Sequence, residues 1–122
     1  MPRVIFFEVS AEQPERAIKF YANVFGWKIQ KWQGSGDYWM ISTGKNEEVG
    51  IDGGLVQRRD PKDTIINTID VPSIDAFLNK ITNNGGKVVA PKMAIPGVGY
   101  FAYCQDTESN TFSILQYDET AQ

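Results

Sequence analysis

An internal repeat that spans half of the sequence constrains this chain more than any other feature. Three landmarks of the first half recur at one constant spacing in the second: Ala17 with Ala76, Gly26 with Gly85, and Lys28 with Lys87. Aromatic pairs recur at a slightly longer spacing, Tyr38-Trp39 with Tyr100-Phe101. A fixed period of this kind is typical of folds built from repeated supersecondary units. The repeat therefore predicts one small unit used twice.

The first copy begins with a strand at residues 3–9, which are rich in β-branched and aromatic side chains. Pro14 suits the first turn of a helix, and Gly26 is placed to end it. Between them, apolar side chains fall at i, i+3, i+4 and i+7, the spacing of one buried helical face: Ala17, Phe20, Tyr21 and Val24. Strands at 27–32, 38–42 and 51–57 complete a βαβββ unit.

The second copy has the same order. A strand at 64–71 precedes Ser73, a suitable helix N-cap, and Gly85-Gly86 stops the helix. The helical face repeats the spacing of the first copy: Ile74, Phe77, Leu78 and Ile81. Further strands begin at 87, 100 and 111. Residues 91–99, which contain two prolines, are interpreted as a rigid connection or a lid over a cavity.

The predicted fold is of the α+β class. Two tandem βαβββ modules, at about 3–57 and 64–117, form a curved, half-open, barrel-like mixed sheet with helices outside. A chain of 122 residues is long enough for one such domain, spanning 1–122, and too short for two. The concave inner face is the expected place for a small ligand.

The composition excludes several kinds of chemistry and several kinds of partner. The chain has no histidine, so it cannot form a Ser-His or Cys-His nucleophile pair. A net charge of −3 without a basic patch argues against nucleic acid, and no apolar run approaches a membrane span. The start of the chain lacks a signal-peptide layout. The single cysteine, Cys104, lies in an aromatic run and is expected to be buried, which fits a cytoplasmic protein.

Several short motifs occur in a characteristic order over nearly the whole chain. They are Pro14–Tyr21, Val24–Trp27, Gly85–Val89, Pro96–Phe101 and Asp106–Phe112. In this order they resemble the vicinal-oxygen-chelate superfamily, which includes glyoxalase I, bleomycin-resistance proteins and extradiol dioxygenases. The resemblance implies the fold described above and a homodimer. It leaves the activity open, because this fold serves many chemistries.

Metal-dependent members of that superfamily hold a divalent ion with histidine and glutamate side chains inside the cavity. The corresponding positions here carry Phe6 or Val4, Ile66 or Thr68, Gly53-Gly54 and Ser113. They do not supply the three good ligands that a catalytic site needs. We therefore predict no metal and no other cofactor, and glyoxalase I activity is disfavoured. If a metal is bound, its ligands are to be sought among Glu8, Asp52, Asp70 and Gln116.

Glu8 is the one catalytic candidate. If Phe6 faces the cavity, strand alternation puts Glu8 on the same face, with Phe7 and Val9 toward the helix. Glu8 is then an inward carboxylate that accepts a hydrogen bond or a proton; the alternative is a carboxylate at the strand end on the rim, solvated or paired with a lysine. Further residues are predicted to line the cavity or bind the ligand with Phe6 and Glu8: Trp39, Ile41, Ile66, Thr68, Tyr103, Ser113 and Leu115. These side chains could instead fill the concavity themselves.

Three functions are compatible with these observations. The favoured one is a metal-free protein that binds a small organic molecule. The second is a lyase, isomerase or dioxygenase with an atypical site using Glu8, and the third is a non-catalytic dimeric interaction module. Whether the protein is an enzyme is left open. The expected partners are a small-molecule ligand and a second copy of the chain, with neither nucleic acid nor membrane.

Overall fold

The computed structural model describes residues 1–34 and 36–122. Its elements follow the order βαβββ twice. They are β1 (Val4–Ala11), α1 (Pro14–Phe25), β2 (Lys28–Lys31), β3 (Tyr38–Ser42), β4 (Gly53–Gln57), β5 (Ile65–Asp70), α2 (Ile74–Asn83), β6 (Lys87–Ile95), β7 (Gly99–Gln105) and β8 (Thr111–Tyr117). The tandem arrangement predicted from the sequence is confirmed. No helix in the described part of the chain is long and apolar enough to cross a bilayer.

The described chain divides into two compact units. The N-terminal unit is Phe6–Ile66, and the C-terminal unit is Asn67–Gln122 together with Met1–Ile5. The first residues belong to the C-terminal unit because Arg3 bonds to Asp70 twice. The Arg3 amide donates to Asp70 Oδ1 at 2.7 Å, and the Asp70 amide donates to the Arg3 carbonyl at 3.0 Å. That 1–122 forms a single domain stays a prediction.

The N-terminal unit has the strand order β2-β3-β4-β1, in which only the β4–β1 pair is parallel. Helix α1 packs on one face of this sheet through Ala17, Ile18 and Tyr21. Phe20 and Val24, predicted for the buried face of this helix, are instead more than half exposed. The helix ends as predicted at Gly26, whose φ of 72° is left-handed and whose amide donates to the Ala22 carbonyl. The buried core between sheet and helix consists of Val9, Ala11, Ile41 and Leu55.

The C-terminal unit has the order β5-β8-β7-β6, in which only the β5–β8 pair is parallel. Helix α2 begins after Ser73, whose hydroxyl accepts the Ala76 amide at 3.2 Å, as the N-cap prediction required. Gly85, with a φ of 91°, follows the last turn. The core under α2 consists of Val71, Ile74, Ala102 and Ile114.

Strand β6 differs from the prediction for its segment. Residues 91–95, interpreted from the sequence as part of a connection or lid, continue the strand that starts at Lys87. The β6–β7 register shifts between Val88 and Ala90 and again between Ala90 and Met93, an interval that contains Pro91. Bulges of this kind let a strand accommodate proline, which has no amide hydrogen for the ladder.

Candidate ligand-binding site

The two sides of the sheet in the N-terminal unit are set by the strand register. Val9 pairs with Leu55 in the core under α1, so alternation turns Glu8 to the opposite side. Glu8 pairs with Gly54, and Gly54 pairs with Met40. The side of β1, β3 and β4 that points away from α1, which we call the N-terminal face, therefore carries Phe6, Glu8, Tyr38, Met40 and Gly54.

Glu8 lies inside β1 rather than at its end. Three further residues of the strand follow it, and its side chain is half-buried. A neighbouring group interacts with this side chain. Glu8 is therefore not the last residue of its strand, and both roles that the sequence offered for it stay predictions. A half-buried carboxylate in mid-strand is costly to desolvate, so such a group is either structural or functional.

Tyr38 is part of the N-terminal face and was missed by the sequence analysis. A methyl group placed on Gly54 would collide with the Tyr38 hydroxyl and ring, so the phenol lies directly across this glycine. Gly54 is also the register partner of Glu8. A phenol and a carboxylate thus occupy neighbouring ladder positions. Two features of the sequence could have placed Tyr38 on this face. They are the missing side chain at Gly54 and the alternation of side chains along β3.

Trp39 and Ile41 lie on the opposite side of this sheet from Phe6 and Glu8, the other predicted lining residues of the N-terminal unit. Ile41 pairs with Gly53, the partner of Phe7, and is buried in the core under α1; Trp39 packs against the same core. Both side chains therefore point to the helix side, away from Glu8. The internal repeat of the sequence aligned Tyr38 with Tyr100. In the structure, however, Trp39 and Tyr100 are the residues that face their helices. A slip of one residue in a strand exchanges its two faces.

The C-terminal unit brings four of the predicted residues to one side of its sheet, away from α2. Thr68 pairs with Ser113, and Ser113 pairs with Tyr103. Leu115 lies two residues beyond Ser113 on the same side of β8. The Thr68 and Ser113 hydroxyls are buried and hydrogen-bonded to each other at 2.7 Å. We call this side the C-terminal face.

Ile66, the remaining predicted lining residue, is half-buried in β5, two residues before Thr68. The structure thus groups the predicted residues into two sets, with Phe6 and Glu8 on the N-terminal face and Thr68, Tyr103, Ser113 and Leu115 on the C-terminal face. A ligand-binding role for any of them stays a prediction.

The donor chemistry of the two faces tests the divalent ion implied by the resemblance. Glu8 is the carboxylate of the N-terminal face, and the C-terminal face offers neutral hydroxyls that already bond to each other. Such hydroxyls are poor ligands for the divalent ions that metal-dependent vicinal-oxygen-chelate proteins hold. No group of three or more histidine, cysteine, aspartate or glutamate side chains able to hold a metal occurs within residues 1–34 and 36–122.

The other candidate metal ligands accept hydrogen bonds from backbone amides. Asp52 Oδ1 accepts the Thr43 amide at 2.9 Å, and Asp70 Oδ1 accepts the Arg3 amide at 2.7 Å. Gln116 Oε1 accepts the Ile74 amide, at the start of α2, at 2.9 Å. Each of these oxygens fixes a turn, a strand or a helix end. These carboxylates do not come together with a third such ligand within the described residues, so the donor set does not fit a divalent ion.

Cys104 takes no part in either face. It lies on the helix side of β7, is fully buried, and forms no disulfide. Burial raises the pKa of its thiol above the ordinary value, because the thiolate would be desolvated. A buried thiol of raised pKa is a poor nucleophile, as the sequence position predicted.

Comparison with known proteins identifies the family. The Glyoxalase/Bleomycin resistance protein/Dioxygenase superfamily matches residues 3–114. A glyoxylase-like domain-containing protein of Didymella fabae is 33% identical over 116 residues, which cover 88% of each chain. This chain belongs to the glyoxalase/bleomycin resistance protein/dioxygenase superfamily.

Solved structures of the same fold include methylmalonyl-CoA epimerases. Methylmalonyl-CoA epimerase of Streptomyces coelicolor, in complex with 2-nitronate-propionyl-CoA, aligns with a TM-score of 0.70 at 10% identity, covering 100% of this chain and 99% of that one. The epimerase from Mycobacterium tuberculosis aligns with a TM-score of 0.69 at 10% identity, covering 94% and 87%. At this identity the likeness shows the fold alone, and it confirms the predicted fold class.

Proposed function

We propose that this superfamily member binds a small organic molecule against its N-terminal face, without a metal, and that Glu8 accepts hydrogen bonds from that molecule. The observation that carries the proposal is the position of Glu8. It is a half-buried carboxylate in the middle of a strand, on the side of the sheet opposite the packed helix.

The chemistry of this face favours a ligand that is apolar in part and carries a hydrogen-bond donor. A carboxylate offers about four acceptor positions, so an internal contact still leaves capacity for a ligand. Hydrogen bonds to an ionised group are shorter and stronger than neutral ones. The Tyr38 phenol can donate or accept. Phe6 and Met40 supply apolar contacts, and Met40 is exposed and adapts its shape readily.

Metal independence is part of the proposal and rests on donor chemistry. One carboxylate and a phenol on the N-terminal face do not make the three-ligand set of a catalytic ion. The superfamily fold also serves for organic ligands, since the Streptomyces coelicolor epimerase was solved with 2-nitronate-propionyl-CoA. Elemental mass spectrometry of the purified protein is expected to find no stoichiometric zinc, nickel, manganese or iron. A stoichiometric ion removed by chelator would contradict this part.

Three probes of one shape test the binding proposal. Benzamidine and benzamide present donors beside a planar ring, and benzoate presents only acceptors. Titrations followed by NMR are expected to shift the signals of Glu8 and the Met40 methyl with benzamidine most, benzamide less and benzoate least. The order follows from a carboxylate acceptor on the face. Equal shifts with all three, or none, would contradict the proposal.

A matched pair of variants separates Glu8 from general charge. Glu8→Gln keeps the shape and removes the charge, and it is expected to weaken benzamidine binding about tenfold, because a charge-assisted hydrogen bond is lost. Glu47→Gln removes the same charge from an exposed loop position and is expected to change binding less than about twofold. The proposal fails if both variants bind benzamidine as the unchanged protein does.

A homodimer in the cytoplasm completes the proposed function. Three apolar side chains on one helix support self-association, since Phe20, Val24 and Phe25 of α1 are each more than half exposed. The buried, unpaired Cys104 thiol supports a reducing compartment. Light scattering on the protein as purified is expected to give twice the chain mass, and Phe20→Glu is expected to give the monomer. A monomeric mass for the unchanged protein would contradict the dimer.

A further inference from the structure

An open groove of about 640 Å³ runs beside the start of α1 in the N-terminal unit. Its walls come from the first turns of the helix and from the neighbouring strands β2 and β3. Three of its lining side chains are basic, Arg16, Lys19 and Lys31, and Trp39 forms a flat apolar wall. We call this space the α1 groove. It lies on the helix side of the sheet, whereas Glu8 lies on the other side.

The positive charge in the α1 groove is only partly compensated. Glu15 and Asp37 also line it, so three basic groups meet two acidic ones and leave a local charge of +1 in a chain of −3. Lys31 Nζ lies 3.5 Å from Asp37 Oδ1, but these side chains are 51% and 65% exposed. Exposed pairs of this kind contribute little. Neither Arg16 nor Lys19 forms an ion pair among the residues that the structure describes.

The C-terminal unit has the same framework, but one position at the start of its helix carries the opposite charge to that of α1. Lys31 Nζ lies 4.9 Å from the centre of the Trp39 ring, and Lys92 Nζ lies 5.1 Å from the centre of the Tyr100 ring. Lys92 Nζ also bonds to both carboxylate oxygens of Asp75, at 3.1 and 3.2 Å. In the repeat that pairs Ala17 with Ala76, the residue before each alanine is Arg16 in α1 and Asp75 in α2.

This difference decides what each lysine can bind. In the C-terminal unit the helix supplies an anion, Asp75, and Lys92 bonds to both of its carboxylate oxygens. In the N-terminal unit the helix supplies a cation, Arg16, at that position, and Lys31 pairs instead with Asp37, which precedes β3. The groove therefore keeps a surplus of positive charge, which favours an external anion, and the positive end of the α1 dipole reinforces that preference.

We infer that the α1 groove binds the anionic group of a small molecule, a phosphate or a carboxylate. Arg16 offers a planar fork of donors that matches either group, and Lys19 and Lys31 add point charges. Trp39 offers a surface for an apolar or planar part of the same molecule. The site is separate from the N-terminal face, because Trp39 and Tyr38 are neighbours in β3 and point to opposite sides.

Titration with three anions tests the inference on the full chain at low salt. Inorganic phosphate, phenyl phosphate and benzoate are added, while NMR follows the Trp39 indole N–H and the Arg16 Nε–H. Both signals are expected to shift in saturable fashion. Phenyl phosphate is expected to bind several-fold more tightly than inorganic phosphate, because its ring can contact Trp39. Shifts with phosphates alone assign a phosphate ligand, and shifts with benzoate alone assign a carboxylate.

A charge reversal provides the decisive variant. Arg16→Asp introduces the acid of the Asp75–Lys92 arrangement into the N-terminal unit, so Lys31 gains a second internal partner besides Asp37 and the groove loses its surplus charge. Phenyl phosphate is expected to bind at least about tenfold more weakly, since a charge-assisted contact is replaced by repulsion. Lys62→Asp makes the same change of charge at an exposed loop residue and is expected to alter binding less than about twofold.

Two results would overturn the inference. One is equal affinity of the Arg16→Asp variant and the unchanged protein for phenyl phosphate. The other is a set of shifts spread evenly over surface lysines with no saturation at Trp39, which indicates non-specific attraction. The variant is expected to fold, because an acidic residue in the first helical turn is favourable, and thermal unfolding checks this directly.

Discussion

The two units of this protein share a framework and differ in the groups that the framework presents. Each has a βαβββ order, a helix packed on one side of four strands, and a lysine over an aromatic ring beside the helix start. The C-terminal unit satisfies its polar groups internally, through Asp75 with Lys92 and Thr68 with Ser113. The N-terminal unit carries Arg16 at the position of Asp75, and its Lys31 pairs with Asp37, which precedes β3. The two helix starts thus differ by the charge of one residue, and the proposed anion binding depends on that difference.

Truncating one core residue in each unit has the largest expected effect and tests whether the units unfold together. Leu55 and Ile114 are 0% and 2% exposed in their respective cores. Leu55→Ala and Ile114→Ala should each lower the free energy of unfolding by about 2–5 kcal/mol. All three tryptophans lie between residues 27 and 39, so their fluorescence reports on the N-terminal unit alone.

The two variants are compared by urea unfolding followed by tryptophan fluorescence and by far-ultraviolet circular dichroism. If 1–122 is one cooperative domain, Ile114→Ala shifts the fluorescence midpoint about as much as Leu55→Ala does. If Ile114→Ala leaves the fluorescence transition in place while the dichroism transition moves or splits, the two units unfold independently, and the prediction of a single domain is wrong.

The second comparison concerns the two faces. In the repeat, Phe6 of the N-terminal unit corresponds to Thr68 of the C-terminal unit. The N-terminal face therefore has an aromatic side chain where the C-terminal face has the buried hydroxyl pair of Thr68 and Ser113. Thr68→Val keeps the shape and leaves the Ser113 hydroxyl without this partner. It should cost about 1–3 kcal/mol of stability, measured by urea unfolding. The double variant Thr68→Val with Ser113→Ala should lose less than the sum of the two single variants. Simple additivity would mean that the hydroxyls do not stabilise each other.

The sequence was sufficient to predict the framework, because local signals and the repeat agreed. Pro14 and Gly26 bound α1, Ser73 caps α2, and the strands at 38–42 and 111–117 have the bounds that their composition suggested. Each of these signals acts within a few residues of chain. The tandem order then followed from repetition alone.

The site was less predictable, because the side of the sheet to which a side chain points depends on how the strands pair. Whether Trp39 or Tyr38 shares a side with Glu8 is decided by the register of β3 with β4 and of β4 with β1, which no local pattern fixes. The α1 groove was missed for a related reason. The sequence feature that indicates the groove is Arg16 at the position of Asp75. This difference can be interpreted only when Lys31 and Lys92 are known to lie beside their helices.

The third comparison measures what the two helix starts contribute to stability. The Lys92–Asp75 pair is 40% and 73% exposed, so Asp75→Asn should cost only about 0.5 kcal/mol. Arg16→Asp should raise stability by a similar amount, because it creates the corresponding pair with Lys31 and places an acid in the first turn. Thermal unfolding at low and high salt measures both effects, which salt should reduce. A loss of stability in Arg16→Asp would mean that the two helix starts are not equivalent.

The smallest expected effect concerns the connection that follows the third strand of each unit. Five residues join β7 to β8, and ten join β3 to β4. In the shorter connection, Asp106 accepts the amides of Asn110 and Glu108 on Oδ1 and the Asn110 side-chain amide on Oδ2. These hydrogen bonds, that from the Asn110 amide foremost, hold the pKa of Asp106 below its ordinary value.

A lowered pKa in the folded state gives stability that is present above about pH 4 and lost as the pH falls through the folded pKa. Asp106→Asn, which resembles the protonated acid, should therefore be slightly less stable than the unchanged protein at pH 7 and equal to it near pH 2. Glu47→Gln, an exposed loop position, should show no such convergence. Unfolding midpoints at the two pH values decide the matter. A difference for Asp106→Asn that persists at low pH would mean that the turn depends on the shape of the aspartate and not on its charge.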